Sequence, residues 1–139
     1  MTRRHAILLF LPATIVRAED RLSVAGHLKP APDGRVSLLT TGDRTIELAG
    51  DRSTMAVLHD PRVIREDFLA LGEWKSKDAF QIDPIHKKAL FVRRKRELLV
   101  ITYWCEVCAI RTYAPGRCQC CQEETAFDPR DPSLDNNSL

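Results

Sequence analysis

The sequence predicts an all-β protein in which a small OB-like barrel is followed by a β-hairpin and a cysteine-rich module. Apolar and polar residues alternate over short segments separated by turn residues, which is typical of strands. These segments follow the order strand, strand, strand, short helix, strand, strand, which is the element order of an OB fold. All five cysteines lie between residues 105 and 121, beyond the predicted barrel.

The first three predicted strands lie between residues 21 and 50. Gly26 interrupts the apolar alternation of the first strand, as a β-bulge would. Pro30 to Gly34 and Gly42-Asp43 are turn sequences between the strands. The segments in which apolar residues recur at every second position are 22–28, 36–38 and 46–48.

A short helix is predicted over residues 53–59, and two further strands follow it. Ser53 or Thr54 would cap the helix by accepting a backbone N–H hydrogen bond, and Pro61 limits its extension. The fourth and fifth strands are predicted over 68–74 and 79–82. Another small β-barrel or a β-sandwich with the same number of strands stays open as an alternative to the OB-like barrel.

A hairpin is predicted from the apolar segments 89–92 and 98–104, with the basic segment Arg93 to Arg96 between them. Such a basic segment binds phosphate or anionic lipid in some proteins. It is also typical of a solvated turn whose charge discourages aggregation of strand edges. We favour the turn, because the segment is short and no aromatic stacking platform flanks it.

The cysteine cluster, residues 105–121, contains two Cys-x-x-Cys pairs separated by nine residues. Two cysteines three positions apart on a tight turn direct both sulfurs to one point, and two such turns supply the four tetrahedral ligands that zinc prefers. Pro115-Gly116 would turn the chain before the second pair. Copper(I) and iron also accept thiolates. The predicted metal ligands are Cys105, Cys108, Cys118 and Cys121.

Three other uses of these cysteines are weighed against the metal site. Disulfides are the strongest alternative, because the chain is predicted to be exported. A thioredoxin-like redox pair is less favoured, since its parallel βαβ context is missing. Covalent haem attachment requires His after the second cysteine, where this chain has Ala109. Cys120 is either a spare thiol or a replacement for Cys118 or Cys121 as a ligand.

Residues 103–121 resemble the small bacterial heavy-metal-binding domain. The family pattern is Tyr-x-Cys-Pro-Met-His, a short linker, then Pro-Gly-x-Cys-Pro-x-Cys-Gly-Met. Cys108 stands where the family has His, and Glu106 replaces the first Pro. The whole chain also resembles uncharacterised exported proteins of environmental bacteria with a Tyr-Trp-Cys-x-x-Cys and Cys-x-Cys-Cys-Gln-Glu-Glu-Thr tail. The resemblance to the heavy-metal-binding domain implies metal binding, whereas the exported proteins have no established activity. The matching residues are Tyr103, Cys105, Pro115, Gly116, Cys118 and Cys121.

Residues 1–18 are predicted to be a signal peptide. A basic start, an apolar run from Ala6 to Val16 and small residues up to Ala18 form its three parts, and the run is too short to span a bilayer. Arg3, Arg4 and Arg17 would leave with it, so 18 of the 21 Lys and Arg residues remain against 19 acidic ones. The net charge then changes from +2 to −1, and nucleic acid is not favoured as a partner.

The chain is therefore divided into four predicted segments. They are a signal peptide (1–18), an OB-like barrel (19–88), a hairpin with a zinc-ribbon-like metal-binding module (89–127) and a disordered tail (128–139). The predicted function is an exported, periplasmic or extracellular, metal-binding protein without a transmembrane segment in its mature form. No catalytic motif indicates an enzyme. Two alternatives stay open: a nucleic-acid-binding OB fold with a structural zinc ribbon, and a disulfide-stapled module that binds an unidentified protein partner.

Overall fold

The computed structural model describes residues 22–133, and most of its regular elements are β-strands. The helices are short: α1 (Arg52–Leu58), α2 (Pro61–Ile64) and a 3-10 turn (Ile85–Lys87). The strands are β1 (Leu22–Pro30), β2 (Val36–Leu39), β3 (Thr45–Ala49), β4 (Asp67–Ser76), β5 (Ala79–Ile82), β6 (Leu90–Arg94), β7 (Glu97–Val100), β8 (Tyr103–Cys105), β9 (Ile110–Thr112) and β10 (Ala126–Phe127).

The first five strands form a closed barrel, which confirms the predicted OB-like architecture. They pair in the order β1-β2-β3-β5-β4, and β4 pairs with β1 to close the ring. All neighbours are antiparallel except β3 and β5, which are parallel. The helices α1 and α2 connect β3 to β4 at this parallel step, because a parallel neighbour cannot be reached through a tight hairpin.

The first strand exchanges one partner for another at Gly26, where the sequence predicts a bulge. Residues up to Gly26 pair with β4, and His27 onward pair with β2. A Cβ atom at Gly26 would lie 2.2 Å from the carbonyl oxygen of Leu39. Gly26 therefore permits the close approach of two strands where the barrel closes, and the ladder continues through it.

The helical connection differs from the prediction in its extent and in its caps. Asp51 caps α1, since its Oδ1 accepts a hydrogen bond from the Thr54 N–H at 2.7 Å. The prediction, Ser53 or Thr54, placed this cap two or three residues too late. Pro61 ends α1 but also starts α2, where a missing N–H has no cost. Asp60 caps α2 through the N–H of Arg62 at 2.9 Å.

The predicted strand 98–104 is split between two sheets. β7 continues the barrel sheet by pairing with β6, which itself pairs with β4. β8 belongs to a second sheet, in the order β10-β8-β9, which we call the C-terminal sheet. The two sheets share one core, because Tyr103 of β8 is fully buried within the barrel cluster and Phe127 of β10 packs against it.

Backbone pairing continues past residue 128, where the sequence predicts the start of a disordered tail. The Asp128 N–H donates to the Thr102 carbonyl at 2.8 Å, and Arg130 exchanges two backbone hydrogen bonds with Val100. The apolar pattern misses this segment because backbone pairings and polar contacts hold it, including one from Arg111 to Asp128. The predicted signal peptide and residues 134–139 lie outside the described residues. Between residues 22 and 133, no helix is long and apolar enough to cross a membrane.

Candidate metal centre

The first Cys-x-x-Cys pair forms a tight turn between β8 and β9, which we call the first knuckle (residues 105–108). Cys105 ends β8 and pairs with Ile110, the first residue of β9. The backbone N–H of Cys108 points at the Cys105 sulfur at 3.5 Å. Ala109 closes the turn with a φ of 52°. Both sulfurs of the pair are therefore carried by one hairpin, as the spacing predicts.

The second knuckle (residues 118–121) has its own hairpin-like frame. The Cys118 N–H donates to the Glu123 carbonyl at 2.8 Å, and the Gln122 N–H donates to the Cys118 carbonyl at 2.9 Å. Gly116 precedes this turn with a φ of 136°, a conformation that favours glycine. The Pro115-Gly116 sequence thus turns the chain back toward the first knuckle.

The two knuckles bring four sulfur atoms to one place. The Sγ atoms of Cys105, Cys108, Cys118 and Cys121 all lie within 4.8 Å of one another. The Cys105 and Cys121 sulfurs are 3.4 Å apart. Zn–S bonds of about 2.3 Å in a tetrahedron place the sulfurs roughly 3.8 Å apart. The donor set and its spacing therefore fit a single tetrahedral metal ion.

The cysteines differ in their exposure. Cys105 and Cys118 are buried, Cys108 and Cys121 are half-buried, and Cys120 is exposed. All five are free thiols in the structure. Cys120 is not one of the four clustered residues, although its position beside Cys121 made it an alternative ligand from sequence. The cluster thus has a buried side, formed by one cysteine from each knuckle, and a more open side.

Backbone hydrogen bonds prepare the second knuckle to hold a thiolate. The N–H groups of Cys121 and Cys120 point at the Cys118 sulfur, and this lowers its pKa to about 7. A hydrogen bond with the Cys120 side chain, together with burial, raises the pKa of Cys108. The N–H of Cys108 acts to lower the pKa of Cys105, but burial and the neighbouring thiols outweigh it and the pKa is raised.

The side chain of Arg111, on the strand that follows the first knuckle, is engaged in other contacts. Arg111 donates to the Thr102 hydroxyl at 2.7 Å and to Asp128 at 2.8 Å, and its guanidinium lies over the Trp104 ring. Four thiolates on one zinc ion carry a net charge of −2. The Arg111 charge is already paired with Asp128, whereas the backbone N–H groups on the sulfurs of Cys105 and Cys118 offset part of this charge.

A second cluster of polar residues, close to the first, was not predicted from sequence. Asp60 is buried and receives hydrogen bonds from Arg62 and from the hydroxyl of Tyr103. The Asp60-Pro61 sequence does indicate a helix cap. The contact with Tyr103 joins residues 43 positions apart, and no local pattern signals it.

Comparison of the chain with protein-family models, with curated proteins and with solved structures found no match.

Proposed function

We propose that the chain is an extracytoplasmic metal-binding protein that holds one zinc ion between its two knuckles, in a structural or storage role. One observation carries the proposal: four cysteine sulfurs from two Cys-x-x-Cys turns lie within 4.8 Å of one another. Two disulfides would need the sulfurs only in pairs, whereas a tetrahedral ion needs all four around one point.

The donor set supports zinc over copper(I) as the bound metal. A tetrahedral set of four sulfurs is typical of zinc and of iron–sulfur sites. Copper(I) is satisfied by fewer thiolates and would leave part of the set unused. We propose zinc because four thiolates from two tight turns are typical of structural zinc sites. Iron takes the same four thiolates, and the metal-content measurement below distinguishes the two metals.

A closed site supports a structural or storage role rather than catalysis. Catalytic zinc keeps an open position for water or substrate, whereas structural zinc takes all its ligands from the protein. The four cysteines already complete the tetrahedron. The C-terminal sheet also has only three, three and two residues in its strands, so it has little core of its own. We therefore propose no enzymatic activity for this chain.

The barrel's outer surface favours this proposal over nucleic-acid binding. OB folds bind oligonucleotides on the face of their second and third strands, commonly through stacking aromatic side chains. The outward-facing residues of β3 are Thr45, Glu47 and Ala49, and those of β2 are Ser37 and Leu39. These two strands therefore present neither an aromatic platform nor a cation, and fold alone does not assign a ligand.

Metal content tests the proposed site. Purified, untagged protein is expected to contain about one zinc per chain, as a closed four-cysteine site requires. Cys118→Ser and Cys105→Ser should lose this zinc, since each removes a buried ligand. Cys120→Ser is the matched control in the same turn and should retain it. A metal-free wild-type protein with two disulfides and one free thiol would contradict the proposal. So would loss of zinc from Cys120→Ser with retention in Cys118→Ser.

The extracytoplasmic location is proposed from the basic, apolar and small-residue layout of residues 1–18. A full-length chain with a C-terminal tag should be found outside the bacterial cytoplasm, shortened by about 18 residues as this layout predicts. Mass spectrometry of the intact protein measures the cleavage. Replacement of Arg3 and Arg4 by Glu should reduce export, since the basic start would be lost. A tagged chain that stays cytoplasmic and uncleaved would contradict this location.

A further inference from the structure

The buried carboxylate of Asp60 is surrounded by hydrogen-bond donors. Arg62 donates to it through Nε at 3.0 Å and Nη2 at 2.9 Å, and the Tyr103 hydroxyl donates at 2.8 Å. The Asp60 side chain is 4% exposed. Burial acts to raise its pKa, but the hydrogen bonds outweigh burial and the pKa is lowered. Asp60 is thus a fixed anionic anchor on the helical connection of the barrel.

The contact with Tyr103 joins this anchor to the first knuckle. Tyr103 and Cys105 lie two positions apart on β8, so their side chains point to the same side of the strand. Both are buried. The hydroxyl of Tyr103 reaches Asp60 only if β8 does not slide along its own axis relative to the barrel. The hydrogen bond that holds Tyr103 in place therefore also sets the position of the Cys105 sulfur in the cluster.

The contact with Arg62 joins the same anchor to the second knuckle. The Nη1 of Arg62 donates to the Thr125 carbonyl at 3.1 Å. Thr125, which is buried, donates to the Gly116 carbonyl twice, from its hydroxyl at 2.8 Å and from its N–H at 3.0 Å. Gly116 and Thr125 lie on either side of residues 118–121. The pair therefore closes the base of the second knuckle, and Arg62 ties that base to the barrel.

We propose that Asp60 and Arg62 are positioning residues for the metal centre, which hold the two knuckles at the separation that a single ion requires. This inference rests on the proposed metal-binding function. One carboxylate fixes β8 through Tyr103 and fixes the Gly116–Thr125 base through Arg62. The barrel thus acts as the scaffold of the site, and metal binding is linked to barrel stability through the same contacts.

Zinc affinity tests the proposal, measured by competition with a chromophoric chelator. Arg62→Lys keeps the positive charge but cannot bridge Asp60 and Thr125 together, and Tyr103→Phe removes only the hydroxyl. Each is expected to weaken zinc binding by about 10- to 100-fold, as loss of contacts that orient metal ligands does. Arg44→Lys is the matched control. Arg44 also joins a carboxylate, Asp78, to a backbone carbonyl, Lys77, but on the far turns of the barrel.

A second readout separates positioning from simple stabilisation of the fold. In a Trp104→Phe background, Trp74 reports unfolding of the barrel alone. Zinc should raise the unfolding midpoint of the parent, and this increase should shrink in Arg62→Lys. The inference would be overturned if folded Arg62→Lys and Tyr103→Phe proteins had zinc affinities within about threefold of wild type, since this change is smaller than the loss of ligand-orienting contacts causes. The proposed function would still stand in that case. If only Tyr103→Phe folds, its affinity decides in the same way. A wild-type chain that binds no zinc would overturn both.

Discussion

Removal of the metal by a strong chelator is expected to unfold the cysteine cluster and the C-terminal sheet while the first three barrel strands stay folded. The strands β8, β9 and β10 contain three, three and two residues. Val107 and Ile110, which are among the larger apolar side chains of this region, are exposed. Zinc binding in structural sites contributes about 10 kcal/mol or more at neutral pH. Beyond Tyr103 and Phe127, which pack on the barrel core, the sheet has little apolar contact to replace this contribution.

Amide hydrogen exchange measures this effect residue by residue. The N–H groups of Cys118 and Gln122, which are hydrogen-bonded within the second knuckle, should lose at least about 100-fold in protection on chelation. The N–H groups in the β2–β3 pairing serve as the internal control and should keep their protection. Unchanged protection at Cys118 after elemental analysis has shown metal removal would contradict a structural role for the ion.

Acidification from about pH 8 to pH 6 is expected to weaken metal binding by about four orders of magnitude or more, because protons compete for the thiolates. The pKa values of Cys105 and Cys108 are raised, so both carry a proton in the metal-free protein over this range. Each proton displaced by the metal changes the apparent affinity tenfold per pH unit. Cys118, with a pKa of about 7, adds a further proton in the lower half of the range.

The sign of this dependence follows from the direction of proton release. Metal binding removes protons, so affinity rises with pH and falls as pH falls. Competition titrations at several pH values measure the slope, after correction for the chelator's own protonation. Circular dichroism of the barrel is the control, since the lowered pKa of Asp60 keeps its carboxylate charged over the whole range. An affinity that is independent of pH would contradict thiolate ligation.

Local sequence patterns predicted the features that depend on local geometry. Period-two alternation located the first three barrel strands, because one face of each is buried and the other is not. The fourth strand does not alternate, since Phe68, Leu69 and Ala70 are all buried. The Cys-x-x-Cys spacing and the Pro115-Gly116 turn located the two knuckles, because each knuckle is a single tight turn whose geometry is set by neighbouring residues. The convergence of the four sulfurs then required only that the two turns face each other.

Features that depend on distant partners were missed. The apolar run 98–104 gives no sign of its division between two sheets, which arises because Ile101 packs into the barrel while Tyr103 pairs with β9 and β10. The Asp60 anchor reaches Tyr103, and Arg62 reaches Thr125 across 63 positions. Only the closed barrel brings these residues together. In the sequence, Asp60 is recognisable only as a helix cap and Tyr103 only as an aromatic residue near a cysteine, so neither indicates a contact with the other.

X-ray absorption at the zinc edge, recorded on purified wild-type protein in solution, tests the central claim most directly. The method counts the ligand atoms around the ion and measures their distances. The proposed site predicts four sulfur atoms at about 2.3 Å from the ion and no nitrogen or oxygen in the first coordination sphere. These sulfurs would belong to Cys105, Cys108, Cys118 and Cys121. A sphere with two or fewer sulfurs, or one completed by nitrogen or oxygen at about 2.0 to 2.1 Å, would contradict the four-cysteine site.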